Sequence, residues 1–267
     1  MDLLRIESLV KRFGGVTATN DLSLTVKQGE ILGLIGPNGS GKTTVFNLVS
    51  GVHRPTGGRI LLEGVELNAM ARHDIVKAGV GRTFQGLRNF AKVSVFDNLM
   101  IGAHCRTRGG LAHVVWHSLL RTRTLQDEMA KTREKVSGLI DFLELGPYRD
   151  ELAHNIPQFM QRRLDIGVAL ATEPRLLLLD EPAAGLNPTE TMELMGLIKR
   201  IRTQMKLTVF LVEHDMNLVM QICERIVVLN YGSKIAEGTP REIQTNPAVV
   251  EAYLGEESID LVTLEQH

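Results

Sequence analysis

Apolar and polar positions alternate with a period of two through the first seventy residues, and the rhythm then changes twice. Leu4, Ile6, Leu9 and Val10 mark a first strand. Leu22, Leu24 and Val26, separated by polar residues, predict a half-buried antiparallel strand. Gly29-Glu30 reads as a turn before an unbroken apolar run at 31–35, the pattern of a strand covered on both faces. Thr56-Gly57-Gly58 reads as another turn, leading into a strand at 59–63. From about Gln85 to Leu170 the pattern becomes helical. Ser94 followed by Asp97 is a capping-box-like start for a helix through about Ala103. Leu125, Met129, Val136, Ile140 and Leu143 recur at helical spacing between charges, an apolar stripe that faces either the core or a partner. The last third alternates again, with strands at 176–179, 208–212 and 226–229 and helices at 190–205 and 216–223. Thr239-Pro240-Arg241-Glu242 supplies a cap, a proline and an acid in the order that starts a helix. The pattern predicts an α/β fold with a mixed sheet around a parallel core and a helical insertion.

The loop after the strand at 31–35 reads Gly-Pro-Asn-Gly-Ser-Gly-Lys-Thr-Thr, residues 36–44. This is a phosphate-binding loop in its proper setting, between a strand and a helix. Gly36, Gly39 and Gly41 let successive backbone N–H groups turn inward as a nest for phosphate oxygens. Asn38, Ser40 and Thr44 complete the cradle. Lys42 brings a compact positive charge to the outer phosphates, and the Thr43 hydroxyl is placed to ligate Mg²⁺. A helix over about 42–50 aims its positive end at the same anion, and Gly51 suits its C-terminus.

A second element completes the chemistry. The strand 176–179 runs into Asp180-Glu181. Asp180 is placed to hold Mg²⁺ directly or through water, and Glu181 to orient and deprotonate an attacking water. Acids often end strands for solubility, so the pair gains its meaning from the loop at 36–44. His214, at the end of the strand 208–212, is either a γ-phosphate ligand or an exposed loop histidine. Gln85 offers an amide oxygen to Mg²⁺ or water at the entry to the helical insertion.

Composition narrows the setting. The 267 residues are 43% hydrophobic and 23% charged, with a formal net charge of −1. No global basic field draws in nucleic acid. Cys105 and Cys223 show neither metal spacing nor a disulfide framework, and Cys223 falls in an apolar helical pattern that predicts burial. No apolar run approaches a membrane span. The start, Met1-Asp2-Leu3-Leu4, lacks the basic segment and apolar core of a signal peptide. Any connection to a membrane is expected to run through a partner.

Taken in order, the loop 36–44, Gln85, the region 156–160, the acidic strand 176–181, Ala184-Gly185-Leu186-Asn187 and His214 resemble an ATP-binding cassette transporter ATPase over about residues 3–255. Arg82-Thr83-Phe84-Gln85, Ile101-Gly102-Ala103-His104, the run 180–188, Glu213-His214-Asp215-Met216 and Ala252-Tyr253-Leu254-Gly255 resemble, more narrowly, the branched-chain amino-acid importer ATPases. Relatives of that group also serve urea and other small amides. The resemblance implies a P-loop NTPase core at about 1–85 and 171–240, a helical subdomain at about 86–170, and a C-terminal helix and tail at 241–267. It implies ATP and Mg²⁺ as ligands, with Phe13 placed against adenine, although plain core packing of Phe13 stays open. It also implies a peripheral position on the cytoplasmic face of a bacterial inner membrane. The implied partners are two membrane permease subunits, a second ATPase and, indirectly, a periplasmic binding protein. Cassette proteins acting on ribosomes or DNA are one rival, but they usually carry paired cassettes or long coiled coils that this chain lacks; a weakly catalytic nucleotide-binding subunit of an asymmetric heterodimer is the other.

One segment departs from the family pattern. Transporter ATPases carry a Leu-Ser-Gly-Gly-Gln-like signature before a helix, and here the corresponding run is Ile156-Pro157-Gln158-Phe159-Met160. In the family two ATPases enclose ATP head to tail, each signature facing the other's phosphate loop. A benzyl group at Phe159, in place of glycine, is expected to block close approach or turn an N–H away. The helix dipole, with Arg162 or Arg163, is expected to compensate in part. A homodimer would carry the defect at both sites, whereas a heterodimer with a sister ATPase would keep one intact site.

Overall fold

The computed structural model describes residues 1–83, 91–104 and 123–253. Gln85, the basic stretch 106–122 and the tail from Leu254 onward lie outside the described residues. The chain divides into two compact units, Met1–Val80 with Arg175–His267, and Gly81–Pro174.

The first unit holds two sheets. In one, β1 (Asp2–Phe13) pairs antiparallel with β2 (Val16–Lys27) and β4 (Gly57–Leu62), and β4 pairs in turn with β5 (Val65–Glu66). The alternation read at Leu22, Leu24 and Val26 points those side chains inward, with Ser23 and Lys27 exposed. Gly57-Gly58 is not a turn. It lies inside β4 opposite a bulge, where Ser8 adopts φ 45° and Gly58 φ 80°. A side chain at Gly58 would strike the backbone of Glu7 and Ser8, so the glycine serves close strand approach.

The second sheet runs β10-β9-β3-β8-β7-β6, from β3 (Ile31–Ile35), β6 (Val80–Arg82), β7 (Leu176–Asp180), β8 (Thr208–Val212), β9 (Arg225–Asn230) and β10 (Ser233–Gly238). The pairs β3–β8, β3–β9 and β7–β8 are parallel, and β9–β10 is antiparallel. Every residue of β3, β7 and β8 is buried, as expected of a parallel sheet covered on both faces. The strand β10 escaped the sequence reading. Its signal is Tyr231-Gly232, both at positive φ, 43° and 78°, which closes a two-residue hairpin. The core of this unit packs the two sheets and α1 (Lys42–Val49) together, with the Phe46 and Phe210 rings 5.0 Å apart. The helices α2 (Arg72–Ala78), α6 (Pro188–Gln204), α7 (Met216–Ile222) and α8 (Pro240–Gln244) also belong to this unit, and α6 and α8 start on full capping boxes, Asn187/Glu190 and Thr239/Glu242. Helix α6 begins two residues earlier than the apolar pattern indicates, because Asn187 supplies the cap.

The second unit is helical, with α3 (Val95–His104), α4 (Arg123–Phe142) and α5 (Gln158–Ala171). Ser94 and Asp97 form the expected cap, the Asp97 N–H donating to Ser94 Oγ at 3.0 Å. Val136, Ile140 and Leu143 are buried, while Met129 on the same stripe is exposed. Phe159 corrects the steric expectation. Its ring is 6% exposed, packed 4.7 Å from the Arg163 guanidinium. Arg163 is itself buried, donating to Leu143 O at 3.1 Å and to Glu144 Oε2. The benzyl group fills the interior of the helical unit and does not project as a barrier. Arg163 is committed to the same interior, so it is no surface cation that could compensate.

Candidate functional site

The register of the parallel sheet brings the motifs together. Leu34 pairs with Val212, and Val212 with Asp180. The C-terminal ends of β3, β8 and β7 therefore form one edge, and the chain leaves them as the loop from Gly36, as Glu213-His214 and as Glu181. Open parallel sheets bind ligands at this edge.

The loop 36–41 curls through Gly36, Gly39 and Gly41 at φ 150°, 73° and 103°. A Cβ at Gly36 would collide with the Leu229 carbonyl and one at Gly41 with the Ala18 carbonyl, while Gly39 opens to free space. Two sides of the loop are thus fixed by β9 and β2, and Gly39 lies on the open side. The β9–β10 turn ties it further, the Gly232 N–H donating to Ser40 O at 3.0 Å and the Asn20 N–H to Gly232 O at 2.8 Å. Asn38, Gly39 and Thr43 are exposed, Thr44 is half-buried and Ser40 is buried. Lys42 is 5% exposed, and its Nζ donates to Gly36 O at 2.7 Å and Pro37 O at 2.8 Å.

These residues fit an anionic ligand. Gly41 caps α1 without a side chain, so no hydroxyl or carboxylate of the cap competes for the first-turn N–H groups, and the first turn holds no acid. The Thr43 hydroxyl and the buried Asp180 carboxylate are oxygen donors of the kind Mg²⁺ takes. These two donors among the described residues do not fill an octahedral sphere, which leaves positions for further protein groups, phosphate oxygens and water.

Glu181 and His214 meet directly. His214 Nε2 donates to Glu181 Oε1 at 2.8 Å, both side chains partly exposed. Glu181 holds φ 46°, left-handed backbone that a non-glycine residue adopts only when its surroundings impose it. Its N–H donates to Val212 O at 2.9 Å. His214 is therefore partly exposed and held by the carboxylate of the neighbouring loop. Phe13, at the end of β1, is 43% exposed, with Lys11 Nζ 4.8 Å from its ring centre and the His53 ring edge-on at 5.2 Å. Core packing is not its role. Gln85 lies outside the described residues.

Glu213 has no role legible in the sequence beyond its place in Glu213-His214-Asp215-Met216. Its carboxylate is 4% exposed and accepts from the Ala183 N–H at 2.7 Å and the His214 N–H at 3.1 Å. Burial raises its pKa, against the lowering effect of the N–H groups of Ala183, His214 and Asp215. In sequence it is an acid directly after an apolar strand, a position that solvation alone would explain, and only the structure shows it buried.

The family model described as ABC transporter matches residues 19–184. The chain belongs to the ABC transporter ATP-binding family. A second model, branched-chain amino acid ATP-binding cassette transporter, matches residues 233–258. The high-affinity branched-chain amino acid transport ATP-binding protein LivG of Salmonella typhimurium is 43% identical over 254 residues, 95% of this chain and 98% of the relative. The corresponding protein BraF of Pseudomonas aeruginosa is 41% identical over the same share of each chain. Among solved structures, the ADP conformation of MJ1267, an ATP-binding cassette of an ABC transporter, superposes with a TM-score of 0.83 at 28% identity, covering 96% of this chain and 100% of the other. The cassette thus binds ATP as a transport ATP-binding subunit, and no helix among the described residues is long and apolar enough to cross a membrane.

Proposed function

We propose that the chain hydrolyses ATP to power an importer of branched-chain amino acids or a related small amide. The observation that carries the reading is the Glu181–His214 pair at 2.8 Å, on the same sheet edge as the phosphate loop. Lys42 and the N–H groups of residues 38–44 hold the phosphates, and Phe13 offers a face to adenine. Thr43, Asp180 and Gln85 would hold Mg²⁺, which would neutralise charge on the transferring phosphoryl group. Glu181 accepts the proton of the attacking water. His214, within 2.8 Å of Glu181, is placed to offer its N–H to the γ-phosphate. The amino-acid substrate follows from the relatives' names and from the match at 233–258.

As a peripheral protein on the cytoplasmic face of the inner membrane, the chain would engage two permease subunits and a second cassette, served by a periplasmic binding protein. Helix α5 supports a heterodimer. Its N-cap is Pro157, where the family pattern has serine, so it offers a facing phosphate neither a hydroxyl nor an N–H, and Phe159 occupies the place where the family pattern has glycine. A facing phosphate loop receives fewer favourable contacts from this segment, so the sister cassette supplies the stronger signature.

The test is nucleotide trapping in the assembled transporter. Glu181→Gln is expected to bind ATP with near wild-type affinity and to retain it unhydrolysed, whereas normal turnover removes Glu181 as the base. In the same preparations, vigorous cooperative hydrolysis by the isolated chain would count against the heterodimer.

A further inference from the structure

Glu213 sits between the last residue of β8 and His214, and its two carboxylate oxygens face different loops. Oε1 accepts the Ala183 N–H at 2.7 Å, two residues beyond Glu181. Oε2 accepts the His214 N–H at 3.1 Å and lies 3.5 Å from the Asp215 nitrogen. The group is buried, and a buried carboxylate persists only where hydrogen bonds hold it. A second observation converges here. The left-handed backbone at Glu181 (φ 46°) needs fixing from outside. The bond from Ala183 to Glu213 and that from Glu181 N–H to Val212 O, 2.9 Å, supply it.

We propose that Glu213 is a positioning residue that locks the Glu181 loop and the His214 loop into one register, so that hydrolysis depends on its pair of acceptor oxygens. The proposal rests on the reading of Glu181 and His214 as the hydrolytic pair. Glutamine in its place keeps the volume but offers one acceptor, and its NH₂ would face a backbone N–H, donor against donor. One loop is then released while the fold is kept. The catalytic carboxylate and imidazole lose their shared geometry, and with it the His214 approach to the γ-phosphate, while Lys42 and the N–H groups of the phosphate loop keep their place.

The experiment uses the full chain assembled with its membrane subunits and compares kcat, KM for ATP and melting temperature. Glu213→Gln is expected to lower kcat roughly 10- to 100-fold, the scale of one lost hydrogen bond to a charged group, with KM changed less than about threefold. Placed on His214→Ala, the same change should cost less than about threefold more, because both act through one pair. Wild-type kcat in Glu213→Gln, or losses that multiply in the double variant, would overturn the proposal. Should Glu213→Gln melt far below wild type, Glu213→Asp serves instead. It keeps both acceptors one methylene short, an intermediate kcat is expected, and an unchanged kcat overturns the idea. Absence of ATP binding or hydrolysis by the wild-type assembly would sink the functional reading. A normal wild type with an indifferent Glu213→Gln would sink this inference alone.

Discussion

Replacing Phe159 by alanine tests whether the departure from the signature pattern is a structural feature of the helical unit. The ring is 6% exposed and stacks against a buried guanidinium 4.7 Å from its centre. Deleting a buried phenylalanine costs about 3–5 kcal/mol, through lost transfer energy and the cavity left behind. The guanidinium contact accounts for about 2 kcal/mol of that when desolvated. For a chain of this size about 1 kcal/mol corresponds to about 2–4 °C in melting temperature, so a fall of roughly 6–20 °C is expected. Thermal unfolding of the full chain by far-UV circular dichroism reads it directly. Melting within about 2 °C of wild type would refute the reasoning, since a ring that projects from the surface could be removed at little cost. The same logic predicts that Phe159→Gly, chosen to restore a phosphate-facing backbone, weakens the unit instead. Glycine adds its own helix penalty of up to about 1 kcal/mol.

Lys42→Ala removes an ammonium held by the Gly36 and Pro37 carbonyls. Calorimetry with a non-hydrolysable ATP analogue should show roughly 10- to 100-fold weaker binding, and hydrolysis should disappear. Unchanged affinity would remove Lys42 from the phosphate site. Asp165, in α5, has its pKa raised to about 7 by burial, against a lowering influence of Arg162. The folded state therefore binds more protons than the unfolded state between pH 3.8 and about 7, and stability falls as pH rises through that window. The loss approaches about 4 kcal/mol above it. Asp165→Asn should match wild type in melting at pH ~4 and exceed it at pH ~8. Superimposable profiles would refute the burial argument.

Periodicity and punctuation made much of the fold legible. Alternation in β2, the apolar runs of β3, β7 and β8, and the boxes at Ser94 and Thr239 all appear where the sequence places them. These are local effects. Side-chain spacing and capping bonds act within a few residues, so the chain displays them without knowing its neighbours. The phosphate loop is legible for the same reason, because its glycines and Lys42 serve one continuous turn.

What the sequence could not decide are the choices made by distant neighbours. Gly57-Gly58 looks like a turn until β1 lies beside it. Phe159 looks like an obstruction until Arg163 and the interior of the helical unit take in its ring. Phe13, open to either reading, ends half-exposed beside Lys11 and His53. Glu213 carries no motif of its own, and its importance arises only when Ala183, thirty residues upstream, comes within 2.7 Å. A residue type fixes which bonds a group can make. Which way a side chain points, and whether water or protein surrounds it, follows from packing between segments far apart in the chain, and that is settled only when the sheet closes.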